Sequence, residues 1–158
     1  MTSTEFIVRP GTQEVVVTRV FDAPREVVFK TITDPNLIPS WWGPRSQTTI
    51  VDKMDLRPGG VWRFIGREAN GSEYAFHGVY HAIVPPERIV NTFEFEGMPG
   101  HVLMETVTLE DIDGKTRMTT KSVYQSIEDR DGMVGAGMET GATESGDRLA
   151  ELLATIRS

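Results

Sequence analysis

The 158-residue chain has no cysteine. That excludes disulfides, a thiol nucleophile and a thiolate metal site. No stretch approaches the roughly 20 apolar residues of a membrane-spanning helix. The start, MTSTEFIVRP, has neither a basic nor an apolar leader segment, so no signal peptide is expected and a cytoplasmic location is. Basic residues are in deficit, 16 against 23 acids, for a net charge of −7. Nucleic acids and anionic membranes are bound through a basic face, so neither is an expected partner.

Catalytic and cofactor signatures are equally scarce. There is no Gly-x-Ser-x-Gly elbow and no Gly-x-Gly-x-x-Gly stretch. Gly114-Lys115-Thr116 imitates the end of a phosphate loop, but Leu109 stands at the upstream glycine position, so it reads as a hairpin turn. His77 and His81 are four apart in a strand pattern, where four residues span about 13 Å. One ion cannot bridge that gap at Zn–N distances near 2 Å. No metal and no cofactor are expected.

What is present is β pattern framed by helix. Glu14 to Phe21 is rich in β-branched residues and reads as a strand. Asp22-Ala23-Pro24 and Asp34-Pro35 read as the starts of two short helices, the first capped by Asp22. From Ser46 to Tyr124 the pattern stays β, broken by turn signals at Arg57-Pro58-Gly59-Gly60, Ala69-Asn70-Gly71, Pro85-Pro86 and Asp113-Gly114. Hairpin after hairpin gives an antiparallel meander with one wet face. From about Glu128 to Ile156 apolar residues recur at helical steps through Met138, Ser145, Leu149, Leu152 and Ile156, predicting one long helix. Its first half holds Gly132, Gly135, Gly137, Gly141 and Gly146, each costing about 0.8–1 kcal/mol against Ala in a helix interior. Close packing on a curved sheet and a mobile gate over a cavity both explain them. The sheet must cover its apolar face, and the long helix is the one element large enough. A straight rod cannot fill a curved trough, so a space between them is expected.

Several segments together resemble the START-like (SRPBCC) superfamily, in the branch of homologues of the activator of the heat-shock-protein-90 ATPase. They are VTRVFDAPREVVFKTITDPNLIPSWWGP, LRPGGVWRF, YAFHGVYHAIVPPERIVNTFEFE, GKTRMTT and GDRLAELLATI. The similarity runs from about residue 14 to 156, within one domain spanning 1–158. The resemblance implies an α+β helix-grip (Bet v 1-like) fold: a curved seven-stranded antiparallel sheet around a long C-terminal helix, two short helices after the first strand, and an apolar cavity. The superfamily includes lipid and polyketide binders, cyclases and co-chaperone domains. The eukaryotic co-chaperone resembles this chain only in its C-terminal half.

Three functions follow as expectations. The first is binding of a small, largely apolar, aromatic or polyketide-like ligand. The second is an enzyme of cyclase, dehydratase or hydrolase type using the same cavity; the sparse acid–base inventory favours the first. The third is a chaperone-associated stress-response module. A homodimer through an edge strand is compatible with all three. The expected ligand-binding residues are aromatic and methionine side chains, Trp41, Trp42, Trp62, Phe64, Tyr74, Phe93, Phe95, Met104, Met133 and Met138, with two polar groups, His77 and Glu105. Alternation puts Glu105 on the face of Leu103 and Val107, turned inward, with Arg117 or Lys121 as its partner. The adjacent pair Trp41-Trp42, just before Gly43-Pro44, is expected to divide its labour, one ring on the core and one at the cavity mouth.

Overall fold

Turn chemistry sets the frame. Asp113 and Gly114 both have positive φ, 52° and 86°, the backbone of a two-residue hairpin turn that matches strand twist. The flanking residues pair directly, Ile112 with Lys115. The structure, a computed structural model, describes residues 3–157. Among these, eight strands form one antiparallel sheet: β1 (Glu5–Ile7), β2 (Glu14–Phe21), β3 (Gln47–Met54), β4 (Val61–Glu68), β5 (Glu73–Val84), β6 (Arg88–Phe95), β7 (Val102–Ile112) and β8 (Lys115–Val123). Their order is β1-β2-β8-β7-β6-β5-β4-β3. Helices α1 (Arg25–Ile32) and α2 (Ile38–Trp41) follow β2, and α3 (Ile127–Gly135) and α4 (Met138–Arg157) follow β8. This is an α+β helix-grip fold, a curved sheet holding a C-terminal helix.

The structure departs from the sequence reading in four places. An eighth strand, β1, adds to the expected seven; its three residues pair Glu5 with Thr18 through Ile7 with Val16. The long helix is two: α3 ends at Gly135, and Gly137, at φ 94°, takes the left-handed backbone that stops a helix. The buried stripe of α4 runs through Leu149 and Leu153, at 1% and 2% exposure, while Ile156 is 43% exposed. Finally, α1 is preceded by Pro24 as its N-cap residue and not by Asp22, and α2 starts later than Asp34-Pro35, with Pro39 in its first turn.

The main core fills the concave face. Val28, Phe29 and Ile32 of α1, Trp62 and Phe64 of β4, Tyr80 of β5 and Leu149 and Leu153 of α4 meet there. A smaller cluster of Val15, Leu103 and Tyr124 lies beneath α3. Gly78 is required on β5: a Cβ there would sit 1.9 Å from the Thr92 carbonyl oxygen and 2.6 Å from Trp62 Nε1. That space lets Trp62 Nε1 donate to the Thr92 carbonyl at 3.2 Å. The bulky indole is thus seated against the sheet with its polar atom satisfied.

Candidate functional site

Alternation along each strand sends one set of side chains to the concave face. Trp62 and Phe64 from β4, Phe76 from β5 and Phe93 from β6 make a continuous aromatic floor, with centroids 4.9 Å apart for Trp62–Phe64, 5.7 Å for Trp62–Phe93 and 5.4 Å for Phe76–Phe93. Trp42 stands edge-on against it, 5.1 Å from Phe64 and 5.5 Å from Phe76. Trp41 lies at the end of α2 and faces the same space.

The Trp41–Pro44 segment is tied to α4. Ser145 Oγ donates to the Trp41 carbonyl at 3.0 Å. Arg148 donates to the carbonyls of Gly43 and Pro39 at 2.8 and 3.0 Å. Burial holds the Arg148 pKa below its ordinary value. Arg45 pairs with Glu151 and, through its backbone N–H, with Glu144. Gly43, at φ 91°, supplies the turn into β3.

Between α4, α2 and the sheet lies a cavity of about 270 Å³. Trp41, Trp42, Trp62, Phe64, Phe93 and Met138 line it, as does Glu105. The lining is mostly apolar, with few polar groups. Glu105, on β7, pairs in register with Asn91 of β6 and Ser122 of β8. Asn91 Nδ2 donates to Glu105 Oε1 at 3.2 Å. Half-buried in the cavity wall, the Glu105 carboxyl has its pKa pushed up by desolvation, with the Asn91 hydrogen bond opposing. The Tyr124 hydroxyl is likewise pushed up by desolvation and by the charge of Glu105; it donates to Met138 Sδ at 3.3 Å. Arg19, on β2, lines the cavity as well; its Nη1 donates to Asp147 Oδ1 at 2.6 Å and to Thr4 Oγ1 at 3.2 Å.

The other expected site residues lie elsewhere. His77 is on the outer face of β5, where its Nδ1 is 2.9 Å from Glu96 Oε2 and its Nε2 3.4 Å from Glu94 Oε1. Arg63 donates twice to Glu96, at 2.8 and 3.0 Å. That pair, then His77, holds the Glu96 pKa down to about 2. Met104 is 46% exposed, on the face of β7 opposite Glu105. Tyr74 and Phe95 stack on each other at 6.3 Å, outside the cavity lining. Met133 packs on the smaller cluster. Neither Arg117 nor Lys121 partners Glu105: both are exposed, and Lys121 Nζ lies 3.2 Å from Glu14 Oε1.

Arg19 and Asn91 are two cavity-lining polar groups absent from the sequence expectation. Both carried a signal. Arg19 shares strand parity with Val15, Val17 and Phe21, and Asn91 shares it with Ile89 and Phe93. Among the described residues no group of three or more His, Asp or Glu is arranged to hold a metal ion. Among the described residues no helix is long and apolar enough to cross a membrane.

The family model described as Activator of Hsp90 ATPase homolog 1-like protein matches residues 22–154. The chain belongs to this family, within the START-like superfamily. No curated protein matches it by sequence. Among solved structures, a protein of Mycobacterium smegmatis is 26% identical with a TM-score of 0.87, the match covering 96% of each chain. A protein of Chromobacterium violaceum is 27% identical at TM-score 0.80, covering 89% of this chain and 96% of that one. A protein of the dynemicin biosynthetic locus, 19% identical at TM-score 0.67, shares the fold over 90% of this chain and 48% of its own.

Proposed function

We propose that the protein binds one small, largely apolar molecule, aromatic or polyketide-like in outline, between the sheet and α4. The observation that carries this reading is the cavity itself, about 270 Å³ and walled by indole and phenyl rings. Ligand sites for drug-sized molecules start at about 300 Å³ and are mostly apolar with few polar groups. The floor of Trp62, Phe64 and Phe93 offers flat apolar surface, and Glu105 with Asn91 offers a polar anchor. The test is native mass spectrometry of protein purified from its own host, beside Ala142→Phe, whose new ring would fill the space that Ala142 lines. The expected result is a non-covalent mass increment, lost on denaturation and absent from Ala142→Phe. An increment unchanged in that variant, or none in either protein, would count against the reading.

A second reading is favoured by one observation. Glu105 lines the cavity and has its pKa pushed up by desolvation, the direction that suits a carboxylic acid to general acid–base work. Turnover of the co-purified molecule that disappears in Glu105→Gln would move the protein to the enzymes. The outer-face position of His77 leaves Glu105 as the proton-transfer group of this reading.

A further inference from the structure

Two pairs of polar groups in the cavity wall differ in how they are satisfied. Glu105 and Asn91 satisfy each other on β6 and β7. Arg19 and Trp41 differ: the N–H donors Arg19 Nε and Trp41 Nε1 are buried with no acceptor among the described residues. Both residues line the cavity, and the Arg19 side chain is only 10% exposed. Both are fixed by one turn of α4. Ser145 holds the Trp41 carbonyl, Asp147 holds Arg19 Nη1, and between them Gly146 leaves room for the guanidinium; a Cβ there would come within 3.3 Å of Arg19 Nη1. Both residues are thus held by the same turn of α4. Arg19 lies well away from Glu105: the register aligns Arg19 with Met118 and Leu109, and Val15 with Ser122 and Glu105, a four-residue offset of about 13 Å along the strands.

We propose that the cavity's occupant is a neutral aromatic carbonyl compound, a ketone, quinone or ester, whose carbonyl oxygen accepts hydrogen bonds from Arg19 Nε and Trp41 Nε1. The assignment rests on the ligand-binding reading above. A buried donor without an acceptor is costly, so a molecule supplying one gains what the empty site lacks. A carbonyl oxygen has two lone pairs for two N–H groups. A hydroxyl would bring a proton of its own to a place that holds only unmet donors. A carboxylate would bring a second anion beside Asp147, which already balances Arg19 at 2.6 Å, and would have to be desolvated among rings. The aromatic body is dictated by the walls of Trp41, Trp42, Trp62 and Phe64.

Three compounds of one shape test this: 2-acetylnaphthalene, its hydrocarbon counterpart 2-ethylnaphthalene, and 2-naphthoate. Their affinities are measured by equilibrium dialysis against the wild type, Trp41→Phe and Arg19→Met. Trp41→Phe keeps an aromatic ring and removes the indole N–H, and Arg19→Met keeps the reach of the side chain and removes the guanidinium with its bonds to Asp147 and Thr4; circular dichroism checks the folding of both. The ketone is expected to bind about tenfold tighter than the other two compounds. Each variant is expected to lose most of the ketone's advantage over the hydrocarbon, the ratio of the two affinities falling toward one. Equal binding of ketone and hydrocarbon would overturn the carbonyl assignment and leave the cavity reading standing. Tighter binding of 2-naphthoate would overturn neutrality. An undiminished ketone preference in Trp41→Phe would overturn the donor assignment even if Arg19→Met does not fold. Binding of none of the three would overturn the assignment and the cavity reading together.

Discussion

Asn91 Nδ2 donates to Glu105 Oε1 at 3.2 Å across the β6–β7 register. The pair places one amide and one carboxyl in the wall of a mostly apolar cavity. Desolvation raises the Glu105 pKa above its ordinary 4.5. The folded chain therefore keeps a proton that the unfolded chain releases.

The sign of the pH effect follows. The stability that Glu105 contributes is fully present below pH 4.5. It is lost as pH rises from there through the raised pKa, then levels off. Glu105→Gln keeps the shape and removes the titration. The expected outcome is a variant with a higher Tm than wild type at pH 7.5, the difference closing as pH approaches 4.5. Thermal unfolding by circular dichroism across that range measures it. A variant less stable than wild type at pH 7.5 would show that the carboxyl is ionised and paired.

On the outer face the slope reverses. Arg63 first, then His77, holds Glu96 at about 2. Its stabilising share is present above 4.5 and is lost as pH falls toward 2. Glu96→Gln is expected to flatten the acid limb of the stability curve and to leave the neutral limb, where Glu105 acts, unchanged. The loss is modest, because the group lies on the solvated face and salt screens it. Repeating the melts at high ionic strength is expected to shrink the difference between variant and wild type.

His77 supplies the matching negative control. Its ring contacts Glu94 and Glu96 on the face opposite the cavity. His77→Ala is therefore expected to leave ligand affinity within about twofold of wild type. Glu105→Gln is expected to change it, since that side chain lines the cavity. Dialysis with 2-acetylnaphthalene reads both variants.

Strand content was legible in the sequence because turn residues punctuate it: Asn70-Gly71, Pro85-Pro86 and Asp113-Gly114 all fall at hairpin ends. The facing of Glu105 also followed from alternation. Side chains at strand ends did not. Tyr74 and Phe95 have the parity of the floor residues, yet they lie beyond the cavity's edge, a position that no alternation reports. His77 sat beside Phe76 and Tyr74 in sequence, but neighbours in a strand face opposite ways. The partner of Glu105 comes from β6, and only the register identifies it as Asn91 and not a cation of β8.

The helix stripe gives a sharper case. In sequence, Leu152 and Ile156 continue the spacing from Leu149 as well as Leu153 does. The structure buries Leu149 and Leu153 and leaves Ile156 43% exposed. Leu153→Ala is expected to cost about 2–5 kcal/mol by losing buried surface and leaving a cavity. Ile156→Ala is expected to stay within about 0.5 kcal/mol. Urea unfolding of both variants distinguishes the two stripes; similar losses would mean that α4 packs in another rotation.

The glycines of α3 and α4 separate packing from mobility. A Cβ on Gly132, Gly135 or Gly141 would meet nothing within 4 Å, whereas one on Gly146 would come within 2.8 Å of Thr4 Oγ1. Close packing therefore accounts for Gly146 and not for the other three. Gly132 lies within α3 and Gly141 within α4, both without the positive φ that disfavours a side chain. Alanine at either position restricts the unfolded chain and suits a helix, so each substitution is expected to stabilise by about 0.4–1 kcal/mol. Gly137, at φ 94°, behaves oppositely: Ala there must adopt a left-handed backbone and is expected to destabilise by about 1–2 kcal/mol. Hydrogen exchange on α3 and the first turns of α4 reads the consequence for access to the cavity. If the unpacked glycines loosen this cover, Gly132→Ala with Gly141→Ala slows exchange there and slows release of 2-acetylnaphthalene in the same samples. Slower exchange with unchanged release would place the entry route elsewhere, at the Trp41–Pro44 segment that Arg148 ties to α4.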